Sequence, residues 1–399
     1  MSAFKESTEK FLISSENSSS SKSVVYKYKN TNDLIVCAVT APGLLYLYKP
    51  IIHMEDFVSV SSFNVNGKVY ELFAVFDGHR GKDARTGIKK GGDQVAKECV
   101  SYLPKIIKKN LKINNTDIKG LLTKSFEEAN KEHFLKDLIK FPENVGSTAI
   151  LMLKIDKKIY IANLGDSRAV ICKKGKTYFE TKDCDWTKSS EQKRIGINKN
   201  KLTYDLKTVY GNKKFILNGK FLNGEKWNIG TSRSFGDYHF KLDSNNPPVT
   251  AKPCIDSFTI DEDMKLIIIA SDGIWKNDKG LLSDHYISKF IEIAKKQTSQ
   301  NGEVCLEITC KEFVRWCMID QLKLGYKNHG DNISLIAIGV LNGKSKKEWF
   351  RDIKNWKGKY GNSDLISMDP HDAVQNDYYD FSDSEDCKID FIKLKIVKQ

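Results

Sequence analysis

Residues 72–81 read LFAVFDGHRG, a run of five apolar residues that ends in Asp77, Gly78 and His79. The apolar part is rich in strand-forming residues and predicts a buried β-strand. Asp-Gly is common turn chemistry after a strand, so a hairpin turn with a surface histidine is one interpretation. The alternative is that the strand ends here to place an acid, a backbone carbonyl and an imidazole together. The choice depends on whether other segments bring acids to the same place.

Four further segments place acids beside apolar, strand-like runs: IYIANLGDSRAV (159–170), KLIIIASDGIW (265–275), HGDNISLIAIGV (329–340) and PIIHMEDFVSV (50–60). Taken singly, each acid has an ordinary explanation as a turn, capping or solvated residue. Taken together, they predict carboxylates gathered at one edge of a pair of sheets. The candidates are Glu55, Asp56, Asp77, Asp166, Asp272 and Asp331.

Clustered carboxylates indicate a cation site. Like charges a few ångströms apart repel strongly in a partly dry site unless cations balance them. A set of carboxylates, a backbone carbonyl and water suits magnesium or manganese, whereas zinc would call for histidine or cysteine ligands. Gly78 would let its carbonyl turn toward a metal without a Cβ in the way.

The composition limits the other functions. The chain has 399 residues and is 40% hydrophobic, enough for one large domain or two smaller ones. Its net charge of +13 comes mainly from dispersed lysine, with no concentrated arginine and aromatic stripe, so no nucleic-acid partner is expected. The apolar runs are strand length, and the first residues lack a secretory signal, so no membrane span and an intracellular location, cytoplasmic or nuclear, are expected.

The nine cysteines lack C-x-x-C and zinc-ligand spacing, which indicates a reduced protein. Cys305, Cys310 and Cys317 fall on an apolar helical pattern and are interpreted as buried thiols.

Three regions follow along the chain. Residues 1–32 are a polar segment predicted to be disordered, and residues 33–343 have a globular pattern. Strands arrive in clusters rather than in strict alternation with helices, which favours an α+β fold of antiparallel sheets with helices outside. Residues 344–399 form a C-terminal extension, with a short amphipathic helix expected at 346–357 and an acidic patch at 377–387.

The ordered motifs resemble the metal-dependent type 2C (PPM) family of protein serine/threonine phosphatases over about residues 33–342. They are MED (54–56), FDGH (76–79), GSTA (146–149), GDSRAV (165–170), SRSFGD (232–237), SDGIW (271–275) and DNIS (331–334). The resemblance implies a four-layer α-β-β-α sandwich with two antiparallel sheets and two metals at one end between them. It also implies that residues 184–228 form a flap beside the active site.

The resemblance assigns roles to the candidate residues. Asp77 resembles the acid that bridges both metals, and Asp56 resembles an acid that accepts a hydrogen bond from metal-bound water. His79 resembles the general acid. The metal ligands implied are Glu55, Asp77, the Gly78 carbonyl, Asp272 and Asp331.

The implied activity is hydrolysis of phosphoserine and phosphothreonine in phosphoprotein substrates by a monomer with two Mg²⁺ or Mn²⁺ per catalytic domain. The metals would lower the pKa of a bridging water and neutralise the phosphoryl charge. A histidine beside a carboxylate cluster would be stabilised as imidazolium, which suits protonation of the leaving alkoxide.

The chain departs from the family pattern at three places. Ile51 stands where the family usually has the arginine that binds the substrate phosphate. Lys49 or Arg80 could compensate, and Arg80 is the better candidate because it follows His79. Lys276 stands where many members have an acid that helps Asp166 hold a weaker third metal, so we expect that site to be weak or absent. The flap-like segment 184–228 lacks the usual glycine pair, which leaves substrate preference open.

These departures define an alternative function. A pseudophosphatase with the same fold and feeble activity, acting as a binding scaffold, would be compatible with Ile51 and Lys276. Every residue that matches the two-metal core is present, including His79, which favours the active enzyme.

Overall fold

The computed structural model describes residues 10–12, 24–27, 33–43, 54–79, 81–82, 89–113, 116–136, 145–195, 205–209, 214–220, 226–241, 247–275, 283–323 and 331–358. Within these ranges, two antiparallel sheets pack face to face and helices cover both outer faces. The α+β four-layer sandwich predicted from the sequence is confirmed.

The first sheet is built around two long hairpins. Its strands, in spatial order, are β1 (Lys10–Leu12), β4 (Asp56–Val65), β5 (Lys68–His79), β9 (Ala149–Ile155), β10 (Lys158–Leu164) and β17 (Cys254–Thr259). Two short strands extend it beyond the end of β5: β8 (Gly146–Ser147) and β16 (Phe235–Gly236).

The second sheet draws its strands from distant parts of the chain. In spatial order they are β12 (Lys176–Glu180), β11 (Arg168–Lys173), β18 (Met264–Ala270), β19 (Ile333–Val340), β3 (Leu34–Ala41) and β2 (Val24–Lys27). Every neighbouring pair is antiparallel.

Strand β5 is buried on both faces. Leu72, Ala74 and Phe76 pack toward the helices outside the first sheet, whereas Phe73 and Val75 pack between the two sheets. Successive side chains of a strand point to opposite faces. The double burial therefore explains why LFAVF is continuously apolar instead of alternating with polar residues.

The helices form the outer layers. The first sheet is covered by α1 (Gly92–Ile113) and α2 (Ile118–Ala129), which a π-helical turn at Asn130–Phe134 continues. The second sheet is covered by α5 (Ser283–Lys296), α6 (Gly302–Lys323) and α7 (Lys346–Lys354). Two short helices, α3 (Ser189–Arg194) and α4 (Asp272–Trp275), follow strands of the second sheet. Among the described helices, none has the length and apolar character needed to cross a membrane.

Smaller elements complete the described chain. Strands β6 (Gly81–Lys82) and β7 (Lys89–Lys90) pair with each other. Strands β13 (Asp205–Val209), β14 (Lys214–Lys220) and β15 (Lys226–Ile229) form a separate three-stranded sheet. A 3₁₀ turn spans Tyr238–Lys241.

Both ends of the folded region extend beyond the predicted limits of 33 and 343. Strands β1 and β2 lie within the segment predicted to be disordered, yet they pair with β4 and β3 at the sheet edges. The rest of residues 1–32 lies outside the described residues. The short helix expected near 346–357 is confirmed as α7, and its Trp349 is fully buried against the second sheet. The acidic patch 377–387 also lies outside the described residues.

The eight described cysteines are all free thiols. Cys305, Cys310 and Cys317 are buried on α6, as the sequence pattern predicts.

Candidate active site

The β4–β5 hairpin brings the first two acids together. Asn66 and Gly67, with φ of 52° and 79°, form its two-residue turn, and left-handed residues at both positions are what a tight hairpin requires. The register set by this turn continues to the far end of the strands, where Asp56 lies opposite Asp77. Glu55 precedes β4, and its carbonyl accepts a hydrogen bond from the Gly78 N–H at 3.1 Å. Four predicted site residues thus meet at one strand end.

The second sheet brings Asp272 and Asp331 to this end. Ser271 and Ser334 are joined by two hydrogen bonds, from the Ser271 N–H to the Ser334 carbonyl at 3.0 Å and from the Ser334 N–H to Ser271 Oγ at 2.9 Å. Asp272 follows the first of these residues as β18 ends and α4 begins. The Gln321 side chain donates to the Gly273 carbonyl at 2.6 Å and accepts from the Asp331 N–H at 2.8 Å. The loops that carry both acids are therefore fixed to each other.

One side chain ties the two sheets together. The Glu55 N–H donates to Asn332 Oδ1 at 2.8 Å, although the two residues are 277 positions apart in sequence. Asn332 is buried and follows Asp331 directly. This contact places Glu55, which precedes β4, beside the residue that follows Asp331.

Gly78 has a packing role that the sequence did not reveal. A Cβ at this position would lie 2.3 Å from the Gly92 carbonyl oxygen, at the first residue of α1. Only glycine lets β5 and the start of α1 approach so closely. The residue therefore fixes the helix against the strand end that carries Asp77.

The pKa of Asp56 shows that the acids at this end repel one another. Its side chain is 2% exposed. Burial, together with the charges of Asp272 and Glu55, raises the pKa of Asp56 from 3.8 to about 7. Oxygen Oδ2 of Asp56 is buried and accepts no hydrogen bond from the described residues. A cation, or a ligand that donates a proton, would reduce the repulsion among the acids and give Oδ2 of Asp56 a partner.

His79 is held by Asp237, an acid whose role the sequence did not indicate. His79 Nε2 lies 2.7 Å from Oδ2 of Asp237, which is 1% exposed. Burial alone would lower the pKa of His79, but the charge and hydrogen bond of Asp237, with Asp166 and Glu55 beyond it, raise that pKa above its ordinary value. The charge of Asp237 thereby favours the imidazolium form of His79.

Asp237 is part of a built network. The Ser234 hydroxyl donates to the same carboxylate oxygen that contacts His79. Lys241 donates to the Ser234 carbonyl at 2.8 Å and to Asn130 Oδ1 at 3.3 Å, and burial lowers the pKa of this lysine to about 8. A Cβ on Gly146 would lie 2.2 Å from Asp237 Oδ2, so glycine is required there. The motifs GSTA and SRSFGD contained both residues, but only the folded chain shows why.

Asp166 lies on the loop that follows β10. Gly165, with φ of 121°, turns the chain there, and a Cβ on it would lie 2.7 Å from Thr148. Ser167 is buried, and its hydroxyl is 2.9 Å from that of Thr148. Arg168 then forms a two-pronged ion pair with Asp183 at 3.1 and 2.9 Å. These contacts fix the loop, and the charge of Asp166 reaches His79.

The donor chemistry of this end fits hard divalent cations. It offers carboxylates and a backbone carbonyl, the oxygen ligands that magnesium and manganese prefer. Among the described residues, no three acidic, histidine or cysteine side chains already form a group that could hold a metal ion. The fit therefore rests on the mutual repulsion at Asp56 and on its buried oxygen. Ile51, Arg80 and Lys276 lie outside the described residues.

The flap-like segment has its own small core and its own charge pairs. Trp186, Ile195, Leu217 and Ile229 pack in one apolar cluster with Phe240 and Val249. Among residues 184–228, the structure describes 184–195, 205–209, 214–220 and 226–228.

The buried Glu191 anchors this segment through arginines. Arg233 Nε lies 3.2 Å from Glu191, and Arg194 Nε lies 3.1 Å from it. Although burial opposes it, Arg233 and Arg194 hold the pKa of Glu191 below its ordinary value. Glu191 thus has a structural function, since it ties the segment 184–228 to Arg233.

Comparison with known proteins agrees with the fold and the motifs. A sequence model described as protein phosphatase 2C matches residues 54–320. The chain is 33% identical over 289 residues to protein phosphatase 2C homolog 3 of Schizosaccharomyces pombe, which covers 71% of this chain and 59% of that protein. It is 29% identical over 319 residues to homolog 2 of the same organism, covering 76% and 73%. The chain thus spans from under two thirds to about three quarters of these relatives.

Solved structures show the same fold. A serine-threonine phosphatase 2C from Toxoplasma gondii has a TM-score of 0.56 at 15% identity, covering 80% of this chain and 99% of that one. A Caenorhabditis elegans sex determining protein has a TM-score of 0.57 at 18% identity, covering 82% and 69%. The chain belongs to the protein phosphatase 2C family. The predicted enzyme class, a protein phosphatase, is confirmed by this membership.

Proposed function

We propose that this chain hydrolyses phosphoserine and phosphothreonine esters in proteins at the acidic end of the sandwich. The observation that carries the proposal is the buried Asp56, whose pKa is raised to about 7 by burial and by Asp272 and Glu55. It lies at the same end of β4 and β5 as His79, which Asp237 holds. An acidic cluster with an imidazolium at its side suits a charged phosphate ester only when cations are present.

The residues that would hold the cations are Glu55, Asp77, the Gly78 carbonyl, Asp272 and Asp331. Two Mg²⁺ or Mn²⁺ bound there would supply Lewis acidity and a water of lowered pKa. The register of β4 and β5 and the contacts of Ser271, Gln321 and Asn332 support the assignment because they bring these positions to one end. A third ion beside Asp166 would be weak, since Lys276 replaces an acid.

Asp56 and His79 would handle the protons. Asp56 Oδ2 is buried and has room in its hydrogen bonding for one donor, so it would accept a hydrogen bond from the attacking water. His79 Nε2 is engaged by Asp237, which leaves Nδ1 to donate a proton to the departing serine or threonine oxygen. An acid whose pKa lies near the working pH is effective in this role.

Arg80 would bind the substrate phosphate. Arg80 follows His79 and would replace the arginine missing at Ile51. One charge-assisted hydrogen bond contributes about 1.5–3 kcal/mol. We therefore expect Arg80→Ala to lower kcat/KM about tenfold to a hundredfold, and an unchanged value would remove Arg80 from the site. The pseudophosphatase alternative rests on Ile51 and Lys276 alone, and we do not propose it.

The test is release of phosphate from a phosphothreonine peptide by the full chain with Mn²⁺. Excess chelator and Asp272→Ala are each expected to abolish release. The matched control is Asp256→Ala, which removes an exposed acid from β17 and should retain full activity. Equal release in the untreated chain, the chelated chain and Asp272→Ala would overturn the assignment.

A further inference from the structure

We propose that Cys184 and Cys254 are a redox-sensitive thiol pair that closes to a disulfide in the presence of peroxide and thereby lowers the activity of the enzyme. The two Sγ atoms are 3.6 Å apart, although the residues are separated by 70 positions in sequence. Neither thiol has a role in the proposed hydrolysis. The activity arm rests on the proposed function, whereas formation of the disulfide does not.

Backbone hydrogen bonds hold the two thiols face to face. The Cys184 N–H donates to the Gly165 carbonyl at 2.6 Å, and the Cys184 carbonyl accepts from the Ser232 N–H at 2.9 Å. Cys254 is the first residue of β17 and lies opposite Asn163 of β10 in the sheet ladder. The thiol of Cys184 donates its hydrogen bond to the sulfur of Cys254. The two sulfurs are therefore in contact before any oxidation.

The two thiols differ in their exposure and in their pKa. Cys254 is partly exposed, whereas Cys184 is 1% exposed. The hydrogen bond from Cys184, followed by the charges of Arg233 and Lys188 against the opposing effects of burial and Glu191, lowers the pKa of Cys254 to about 6. The same hydrogen bond and burial raise the pKa of Cys184. Cys254 is thus the accessible thiolate, which is the reactive form toward peroxide.

The chemistry balances with hydrogen peroxide as the oxidant. The Cys254 thiolate attacks one peroxide oxygen, the O–O bond breaks, and a sulfenic acid and hydroxide form. The Cys184 sulfur then attacks the sulfenic sulfur, the S–O bond breaks, and its hydroxyl leaves as water with the Cys184 proton. In sum, two thiols and one hydrogen peroxide give one disulfide and two waters. A dithiol reductant reverses the step by exchange.

A second close thiol pair serves as an internal comparison. Cys37 and Cys310 also interact, but they are 5% and 0% exposed, and burial raises the pKa of Cys310 well above its ordinary value. No peroxide can reach a thiolate there under mild conditions. The two pairs therefore differ in exposure and in the charges around the thiols.

Closure would act on the active site through Cys184. A disulfide needs an S–S distance of about 2.05 Å, so the sulfurs must approach from 3.6 Å. The Cys184 N–H is hydrogen-bonded to the carbonyl of Gly165, the residue before Asp166. Cys184 also follows Asp183, which forms an ion pair with Arg168. Its carbonyl also anchors Ser232 at the base of the flap. Movement of this residue would displace the loop beside His79.

The experiment treats the full chain with hydrogen peroxide in the presence of chelator, so that bound metal does not generate other oxidants. Remaining thiols are then alkylated and the peptides are mapped by mass. We expect a peptide joining Cys184 to Cys254 at low peroxide, its loss on reduction, and full alkylation of Cys37 and Cys310. Cys184→Ser should leave Cys254 as sulfenic acid or its over-oxidised forms. Cys37→Ala, the matched control, should still form the disulfide.

Activity is assayed after removal of peroxide and addition of Mn²⁺. The oxidised chain should lose several-fold in kcat/KM and recover on reduction, and Cys184→Ser should resist the loss. Equal oxidation of all cysteines, or no joined peptide, would overturn the pair. A joined peptide with unchanged activity would overturn the control of activity. A reduced chain without any phosphatase activity would instead count against the proposed function, and the mapped peptide would still decide the pairing.

Discussion

Two buried acids, Asp56 and Glu191, lie in opposite electrostatic surroundings. Asp56 is 2% exposed and lies near Asp272 and Glu55, and its pKa is raised to about 7. Glu191 is 3% exposed and lies against Arg233 and Arg194, and its pKa is lowered. Burial alone would raise the pKa of both carboxyls, so the difference comes from the charges beside them.

The comparison separates an acid that stabilises the fold from one that waits for a ligand. A buried carboxylate with arginine partners is balanced as soon as the chain folds. A buried carboxyl beside other acids is balanced only by a proton or a cation, so it costs free energy in the metal-free chain. The functional end of this protein is thus the place where folding leaves an excess of one charge.

The largest expected effect comes from Asp272→Asn. In the presence of Mn²⁺, kcat/KM for a phosphopeptide should fall at least about 10³-fold, or about 4 kcal/mol, because a proposed metal ligand is lost. In the metal-free chain the free energy of unfolding should not fall, since one of the charges that act on Asp56 disappears. Urea unfolding with chelator measures the second quantity. A large loss of stability would show that Asp272, like Glu191, stabilises the folded chain.

The converse change is Glu191→Gln. It leaves Arg233 and Arg194 without their charged partner, and breaking a buried ion pair costs about 3–5 kcal/mol. Because both arginines are partly exposed, we expect about 2–3 kcal/mol of destabilisation by urea unfolding. The lowered pKa means that this stabilisation is present above pH 4.5 and is lost as the pH falls below it. Glu312→Gln, at an exposed position on α6, is the matched control and should change little.

Asp237→Asn tests an acid that belongs to both kinds, since it has a cationic partner and acts on the site. The imidazolium of His79 loses the charge that favours it, so its pKa should fall. We expect kcat/KM to drop about 10–100-fold, and the loss should grow as the pH rises from 6 to 9. A pH–rate profile measures this. An equal loss at every pH would mean that Asp237 only supports the local structure.

Lys241→Met tests a cation that belongs to the network around Asp237. The folded pKa of about 8 lies below the ordinary 10.5, so the unfolded chain binds more protons between these values. The contribution of Lys241 to stability therefore rises with pH in this window, by at most about 1.4 kcal/mol per pH unit. The variant should show a shallower rise than the natural chain in urea unfolding from pH 7.5 to 10. Identical slopes would show that Lys241 stays charged in the folded chain.

The sequence was informative where the signal is local and repeated. A strand buried on both faces is continuously apolar, so the change to an acid marks where it ends. The apolar runs therefore predicted both the strands and the acids at their ends. The turn at Asn66 and Gly67 then sets the register that brings Asp56 opposite Asp77. The sequence alone therefore predicts that these acids lie near one another.

The rest depended on contacts between distant residues. His79 and Asp237 are 158 positions apart, and Cys184 and Cys254 are 70 apart, and no periodicity links such pairs. The packing reason for Gly78 likewise needs the position of α1. Strand β1 was missed because its short run lies beside a polar tract and gains order from the sheet edge that it joins.

The buried Trp349 sets the minimum length of an active fragment. Its indole donates to the Lys265 carbonyl at 2.8 Å, and a Cβ on Gly339 would lie 2.4 Å from the ring. A chain truncated at residue 320, where the family match ends, would also lack β19 and with it Asp331. Truncation at 343 would keep that acid but open a hole the size of an indole, at a cost of about 3–5 kcal/mol. Recombinant versions meant for assay should therefore run at least to Trp356, which packs against the same core after α7 ends.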